Sequence, residues 1–284
     1  MKFSHITPTA YLDIVTPFNG CHLLLAHLVD QDLDYQLFFS KLNDRKVKIL
    51  DNSAFELYKQ GKEMFPSDQL VGLARSVDAN YVVLTDYPGE PSIKTREKSL
   101  EMQDELREAH KREANLCLGT FYVPQSEVGD IDGLIDEFTW AATCSSFDYI
   151  GVSILAVPNA YGVEKGNKLQ RFIARWKFLS DPRVTNALKQ AKVRNKNIHL
   201  LGMVDGPNEI DLMKTSGLDQ YIDTWDSSAA VWAGLNGIRF DKSPTGLING
   251  KYEREVDFDH DDAEIDNIAA MLYNVRYINE KVSA

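Results

Sequence analysis

Short apolar runs rich in β-branched residues alternate with amphipathic stretches along this chain of 284 residues. Near-continuous apolar runs are typical of strands that are covered on both faces, and such strands belong to parallel sheets. Seven runs predict strands, and a weaker eighth follows them, at 21–29, 47–53, 81–86, 116–123, 149–154, 197–204, 220–225 and 238–240. Helical patterns lie between the runs, at 33–43, 67–78, 92–114, 130–144, 167–195 (broken near Asp181), 207–215, 227–235 and 262–281.

This alternation predicts an α/β fold, a (β/α)8 TIM barrel formed by a single domain that spans 1–284. No linker divides the chain, and no repeat or low-complexity segment interrupts it. A doubly wound open sheet is the alternative. It is disfavoured because no glycine-rich phosphate loop follows the first predicted strand.

Composition places the chain among globular proteins that work inside the cell. Hydrophobic residues make up 44% of it and charged residues 26%, which is enough to build a sizeable core. The first residues are interrupted by polar side chains and prolines, so they do not form a signal peptide, and the apolar runs are too short to cross a bilayer. The three cysteines are far apart, which predicts a reducing cytoplasm and no disulfide framework. We expect neither a cofactor nor a bound metal.

Charge is distributed unevenly. The formal net charge is −11, which by itself disfavours a nucleic-acid partner. The helical segment 165–196 nevertheless holds ten basic residues and a single acid, Asp181. We predict this segment as a candidate nucleic-acid-binding face, with phosphate-backbone contacts from Arg171, Arg175, Lys192 and Arg194. The alternative is a helix pair whose charges simply face water.

Candidate chemistry lies where the predicted strands end, because TIM barrels build their active sites from those ends. Asp51, Asp86 and Asp226 each come at or just after the end of a strand. Carboxylates at one rim repel one another and raise one another's pKa, so their presence indicates a catalytic role. Paired carboxylates suit displacement at a glycosidic bond. The alternative for Asp226 is a helix N-cap before 227–235.

Six strand-end segments, taken in chain order, resemble motifs of the guanine transglycosylases, enzymes that exchange guanine for a 7-deazaguanine. They are ILDNSAFE at 49–56, LTD at 84–86, VPQS at 123–126, IGVS at 150–153, HLLGMV at 199–204 and GLDQYIDTWDSS at 217–228.

The resemblance implies a ping-pong exchange through a covalent sugar–enzyme intermediate, so the chain would be a glycosyltransferase. Asp226 would be the nucleophile, with Asp223 as an alternative, and Asp51 would manage the protons. The base would be bound by the remaining site residues that the motifs supply: Asp86, Gln125, Phe55, Gly151, Leu201 and Gly202.

The same resemblance implies the partners. The chain lacks the cysteine cluster that holds a structural zinc in the bacterial tRNA-modifying enzymes, which favours DNA over tRNA and resembles the phage branch of the family. Free 7-deazaguanine would be the second substrate, a homodimer is possible, and a phage enzyme would work in the host cytoplasm. The alternatives are a tRNA-acting relative, a retaining glycosidase or nucleosidase on the same carboxylates, and a catalytically idle nucleic-acid-binding barrel.

Overall fold

Eight parallel strands form the centre of this protein in a computed structural model, which describes residues 1–112, 117–164, 167–203, 206–242 and 263–284. The strands are short, three to five residues each. They are β1 (Lys2–His5), β2 (His22–Leu25), β3 (Lys48–Asp51), β4 (Tyr81–Val83), β5 (Gly119–Tyr122), β6 (Tyr149–Ser153), β7 (Asn197–Leu201) and β8 (Thr224–Ser227).

The strands follow one another around a nearly closed barrel. Each of β2 to β7 pairs with the next strand in the chain, and β8 turns back to pair with β1, so that Ser4 lies beside Asp226. The remaining side, between β1 and β2, is joined by Gly20 N–H donating to Phe3 O at 2.7 Å and by Leu23 N–H donating to the Ser4 hydroxyl at 2.9 Å. The predicted (β/α)8 TIM barrel is therefore confirmed.

Helices connect successive strands on the outside of the barrel. In the described ranges they are α1 (Leu12–Val15), α2 (Ala26–Gln31), α3 (Leu33–Lys41), α4 (Ala54–Lys59), α5 (Ser67–Ser76), α6 (Ser92–Arg112), α7 (Ile131–Thr143), α8 (Ala156–Ala160), α9 (Lys168–Ser180), α10 (Pro182–Val193), α11 (Asn208–Thr215), α12 (Ala229–Leu235) and α13 (Ile265–Ser283). Short 3-10 turns occur at Thr9–Tyr11, Thr16–Phe18 and Asp219–Tyr221.

Most of the predicted helices are confirmed within a few residues, including the break at Asp181, whose side chain accepts a hydrogen bond from Arg183 N–H and caps α10. Parts of several predicted segments (113, 114, 116, 165, 166, 204 and 262) lie outside the described residues. No helix within the described ranges combines the length and the apolar character needed to cross a membrane.

Two strand predictions are wrong at the ends of the chain. The first strand is Lys2–His5, a four-residue segment with polar side chains that the hydrophobic pattern does not reveal. The predicted eighth strand at 238–240 is a turn, because α12 ends just before it and Phe240 packs into the core there. The strand that completes the set of eight is therefore the N-terminal one, Lys2–His5, and not the predicted C-terminal one.

The strand that carries Asp226 begins later than its sequence pattern predicts. The run at 220–225 indicated a strand, but Asp219–Tyr221 forms a 3-10 turn and β8 occupies Thr224–Ser227. Alternation along β8 then places Thr224 and Asp226 on the inner face of the barrel, while Trp225 packs outward with its side chain fully buried. Asp226 therefore lies inside a strand, so the alternative of a helix N-cap is wrong.

Helix α13 packs against α12 with almost no space between the two backbones. A Cβ atom added to Gly234 in α12 would lie 2.1 Å from the Cα atom of Met271 in α13, which is far inside van der Waals contact. Only a glycine at this position allows the last helix to approach the barrel so closely.

We expect Gly234→Ala to destabilise the protein by at least about 1–3 kcal/mol, because the added methyl group must push two helix backbones apart. Chemical denaturation followed by circular dichroism measures this change. Gly72→Ala is the matched control, since Gly72 lies within α5 and a Cβ there meets nothing within 4 Å. The control should be as stable as wild type or slightly more so, and equal losses in both variants would contradict the close helix contact.

Candidate active site at the carboxyl ends of the strands

A cavity of about 460 Å³ opens at the carboxyl ends of the strands, which is a common size for small-molecule sites. Apolar side chains form much of its wall, and polar side chains from several strand ends converge in it. The polar and charged lining residues include His27, Asp51, Asn52, Glu56, Asp86, Gln125, Ser153, Asp226, Ser227 and Ser228. The cavity is therefore located where TIM-barrel enzymes carry out their chemistry.

Asp226 is held by two hydrogen-bond donors on the inner wall of the barrel. His199 Nε2 lies 2.8 Å from Asp226 Oδ1, and Gly202 N–H donates to the same oxygen at 3.2 Å. Gly202 adopts a positive φ of 69°, which turns its N–H toward the carboxylate immediately after β7 ends. The carboxylate is only 6% exposed, so its orientation is fixed by these neighbours.

Asp51 ends β3 on another wall of the same cavity. Its Oδ2 accepts a hydrogen bond from Ser53 N–H at 2.9 Å, and Ser53 has the left-handed φ of 58° that this tight turn requires. Burial of the carboxyl group, followed by the charge of Glu56, raises the pKa of Asp51 well above its usual range, with Asp86 and Asp226 adding to the effect. Asp51 therefore favours its protonated form more than an ordinary aspartic acid does.

Asp86 forms a network with two amide side chains. Asn52 Nδ2 donates to Asp86 Oδ1 at 2.7 Å, and Gln125 Nε2 donates to Asp86 Oδ2. Burial raises the pKa of Asp86 to about 6, although these hydrogen bonds act in the opposite direction. Gln125 Oε1 is buried and has no hydrogen-bond partner among the residues that the structure describes. A buried oxygen without a donor is costly, so this atom is suited to accept a hydrogen bond from a ligand.

The cavity presents hydrogen-bond acceptors and several carboxyl groups. Lysine and arginine are both missing from the described residues that line it. Among these described residues, a carboxylate or phosphate group on a ligand would therefore meet several carboxyl groups and no fixed cation. Ligands that donate hydrogen bonds through N–H or O–H groups fit the lining better.

A histidine and a serine extend the polar wall beside Asp51. His27 lines the cavity, its Nδ1 lies 2.9 Å from Ser53 Oγ, and its backbone N–H donates to the same hydroxyl at 3.1 Å. Across the described ranges, three or more His, Cys, Asp or Glu side chains are nowhere grouped as a metal ion would require.

The other predicted base-binding residues divide into two groups. Phe55 and Leu201 line the cavity, and so does Gly202 through the backbone that contacts Asp226. Gly151 is not a lining residue. A Cβ atom there would lie 2.7 Å from Phe121 and 3.0 Å from Leu201, so this glycine makes room for packing below the cavity and its predicted contact with a base is wrong.

Asp223 is not an alternative to Asp226. It precedes β8, at the amino end of the barrel, where its Oδ2 accepts hydrogen bonds from Lys192 and from Ile198 N–H at 2.7 Å. Asp226 lines the cavity at the carboxyl end. The two carboxylates, three residues apart in sequence, belong to opposite ends of the barrel.

The basic segment does not form one surface at the cavity. Arg175 is fully buried, so its predicted contact with a phosphate backbone is wrong. Lys192 forms an ion pair with Asp223 at the amino end of the barrel, and Arg194 is exposed two residues further along. Arg171 is half-buried on α9, and burial lowers its pKa. Lys165 lies outside the described residues. DNA, tRNA and homodimer partners stay predictions.

Arg175 instead ties together the strand ends that shape the cavity. Its guanidinium group donates to Glu209 Oε1 at 2.8 Å from Nε, to Leu201 O at 2.8 Å from Nη1 and to Gly202 O at 2.8 Å from Nη2. Trp225 Nε1 also donates to Gly202 O, at 2.7 Å. The backbone around Gly202, which contacts Asp226 on one side, is thus fixed from the other side by buried donors.

The hydrophobic pattern did not single out His199 or His27, although both lie at the site. His199 is the third residue of β7 and pairs in register with Thr224 of β8. A histidine at an inner position of a buried strand, beside the strand that carries a key aspartate, is a signal that alternation could have provided. His27 follows β2 within a helix, and only the tertiary structure brings it to Ser53.

Comparison with known proteins identifies no family for this chain. No protein-family model matches the sequence, and no curated protein matches it significantly. Among solved structures, an HpcH/HpaI aldolase/citrate lyase family protein from Burkholderia cenocepacia J2315 is 11% identical, with 81% of this chain and 89% of that chain covered and a TM-score of 0.48. The citrate synthase SbnG is 12% identical, with 79% and 83% covered and a TM-score of 0.39.

These comparisons contradict the predicted guanine transglycosylase. The similar solved structures are of the aldolase/citrate lyase type, and no sequence comparison supports a transglycosylase. The predictions of base exchange, of a glycosyltransferase or glycosidase and of DNA modification are therefore wrong. At identities this low the likeness concerns the barrel alone, so the reactions of these neighbours are not carried over to this chain.

We expect Arg175→Met to destabilise the protein by about 3–5 kcal/mol, because it removes the cation that faces the fully buried Glu209 and a donor to two strand-end carbonyls. Urea unfolding measures the loss. Arg183→Met is the control, since Arg183 is 52% exposed in its ion pair with Asp132 and should give no measurable change. The double variant Arg175→Met/Glu209→Met should recover part of the loss. Equal stabilities of Arg175→Met and Arg183→Met would contradict the stabilising role of the buried ion pair.

A pH dependence follows from Asp86, whose pKa of about 6 in the folded protein exceeds the ordinary aspartate value. The folded state therefore binds more protons than the unfolded state between those two values, and stability falls as pH rises through that interval. Relative to Asp86→Asn, the wild type should lose roughly 2 kcal/mol between pH 4 and pH 7. Urea unfolding of both proteins across this range provides the measurement, and parallel pH curves would contradict the raised pKa.

Proposed function

We propose that this protein is an enzyme that performs general acid–base catalysis in the cavity at the barrel mouth, on a small neutral or cationic organic molecule. The observation that carries the proposal is a pair of aspartates in one cavity with different surroundings: Asp51 is desolvated beside Glu56, whereas Asp226 is held by two donors. Two carboxyl groups with such different surroundings suit different roles, one as the general acid and the other as the general base. We place the activity in the cytoplasm, on the basis of three widely spaced free cysteines.

Asp51 is the proposed proton donor. A general acid must keep its proton at the working pH, and burial near other carboxylates raises the pKa of Asp51 in that direction. Ser53 N–H holds one of its oxygens at 2.9 Å, which orients the group toward the cavity that it lines. His27, joined to Ser53, lies beside Asp51 as a group through which the proton can be replaced.

Asp226 is the proposed base. His199 and Gly202 both reach Oδ1, which leaves Oδ2 as the oxygen that can accept a substrate proton within the cavity. A carboxylate fixed by buried donors is already oriented before the substrate arrives, and this orientation is what general-base catalysis requires. A reaction that removes a proton on one side and delivers one on the other is an isomerisation or an elimination.

The substrate class follows from the remaining polar groups. Gln125 Oε1 lacks a donor, Asp86 is a second acceptor beside it, and no lysine or arginine occurs among the described lining residues. A molecule with N–H or O–H donors satisfies these acceptors, while an anionic group would be repelled. The apolar wall, which includes Phe55, Leu155 and Trp232, contacts the rest of the substrate.

The test combines ligand discovery with proton exchange. Neutral, cationic and anionic compounds of matched shape are screened by ligand-observed NMR, and the bound ones are then incubated with the protein in D2O. We expect neutral or cationic ligands to bind and one of their C–H signals to disappear as deuterium replaces it. Asp51→Asn and Asp226→Asn should slow this exchange by about 100-fold or more, a typical contribution of a general acid or base.

Asp223→Asn is the matched control, because Asp223 lies at the other end of the barrel and should leave the exchange unchanged. Binding restricted to anionic compounds would contradict the proposed substrate class. Exchange that continues at the wild-type rate in both Asp51→Asn and Asp226→Asn would contradict the proposed acid–base pair.

A further inference from the structure

A chain of polar side chains runs from the cavity into the interior of the barrel below Asp226. Asp226 Oδ1 lies 2.8 Å from His199 Nε2, and His199 Nδ1 lies 2.7 Å from Thr224 Oγ1. The Thr224 hydroxyl also lies within reach of the Tyr149 side chain. None of these four residues is more than 6% exposed, so their hydrogen bonds are largely shielded from water.

The strands hold this chain in place. His199 of β7 is the register partner of Thr224 of β8, and Asp226 follows two residues later on the same inner face. Tyr149 begins β6, the strand on the other side of β7, and its ring packs against Phe121, which in turn contacts the His199 ring edge to face. Three adjacent strands therefore supply the chain, and none of its members lies on a loop.

The ionised carboxylate decides the direction of every hydrogen bond in the chain. A carboxylate is only an acceptor, so the Nε2 atom of His199 must carry a proton. In the neutral imidazole Nδ1 is then an acceptor, and the Thr224 hydroxyl must donate to it. The Thr224 oxygen is left to accept from the Tyr149 hydroxyl. Each proton then points toward the cavity.

We propose that His199, Thr224 and Tyr149 form a positioning relay that fixes the tautomer of His199 and thereby the orientation of Asp226 toward the cavity. The relay resembles in its logic the partners that hold a metal-bound or catalytic histidine through its second nitrogen. Its catalytic consequence rests on the proposed function, whereas the arrangement of its protons does not. His199 is a positioning residue here, since Asp226 is the group that faces the cavity.

Simple core packing does not explain this row of buried polar side chains. Burying an imidazole, a hydroxyl and a phenol in a barrel interior costs free energy unless every polar atom has a partner, while apolar side chains would fill the same space. Valine has nearly the shape of threonine, so a position used only for packing would not need the Thr224 hydroxyl. The hydroxyl is the atom that meets His199 Nδ1 at 2.7 Å.

The experiment is two-bond 1H–15N NMR on the full chain labelled with 15N-histidine, which distinguishes the two neutral tautomers and the imidazolium. The sequence has six histidines, and His199→Gln assigns the signal. In wild type near neutral pH we expect His199 to be the Nε2–H tautomer. Thr224→Val should shift the Nδ1 resonance toward that of a nitrogen without a donor, and Thr224→Ser, which keeps the hydroxyl, should restore it.

Asp226→Asn and Tyr149→Phe complete the design. The amide of Asn at position 226 can donate to Nε2, so the Nδ1–H tautomer should increase at the expense of Nε2–H. Tyr149→Phe should move the Nδ1 resonance of His199 in the same direction as Thr224→Val, but by less. If Thr224→Val does not fold, Tyr149→Phe tests the same expectation. The relay would be overturned if wild-type His199 were the Nδ1–H tautomer or the imidazolium. It would also be overturned if neither Thr224→Val nor Tyr149→Phe changed the Nδ1 chemical shift.

The deuterium-exchange assay links the relay to function. Thr224→Val should reduce kcat with little change in KM, and Thr224→Ser should rescue it, because substrate contacts are unaltered. The NMR measurements need no substrate, so the two proposals fail separately. A correct tautomer without any exchange activity would contradict the proposed enzyme alone, while exchange activity with the wrong tautomer would contradict the relay alone.

Discussion

The buried guanidinium group of Arg175 fixes the geometry on which the candidate site depends. It joins β6, β7 and α11 through Val152 O, Leu201 O, Gly202 O and the carboxylate of Glu209, and all of these contacts lie behind the wall of the cavity. Removing an arginine from water is costly, and the cost is offset only when each N–H finds an acceptor. The same contacts that satisfy Arg175 hold Gly202 in the position from which its N–H reaches Asp226.

The cavity itself is electrostatically unfavourable to the fold. Burial raises the pKa of Asp51, and the nearby charges of Glu56, Asp86 and Asp226 raise it further. Burial also raises the pKa of Asp86 to about 6. A protein selected for stability alone would place apolar residues there, because unneutralised carboxyl groups at one rim oppose folding. A site whose buried groups oppose folding is expected to be functional. The rest of the barrel supplies the stability that this cavity does not provide.

The transglycosylase interpretation failed for a reason that applies to barrels in general. Most of its motifs were short segments where a buried strand ends near a polar residue, and every (β/α) barrel places such segments at its mouth in chain order. Agreement in order therefore reflects the architecture more than the reaction. Gly151 shows the difference: it matched a base-binding motif, but its lack of a side chain serves Phe121 and Leu201. Function has to be argued from the site and not from the fold.

The sequence by itself determined the architecture and most of the cavity. Apolar runs alternating with amphipathic stretches specify a parallel barrel, and strand ends then place Asp51, Asp86 and Asp226 at one mouth, because parallel strands all end on the same side. The tertiary structure alone decided which partners these residues have. Whether Arg175 faces water or Glu209, and whether Asp226 meets His199, depends on contacts 24 to 34 residues apart in sequence, which local pattern does not encode.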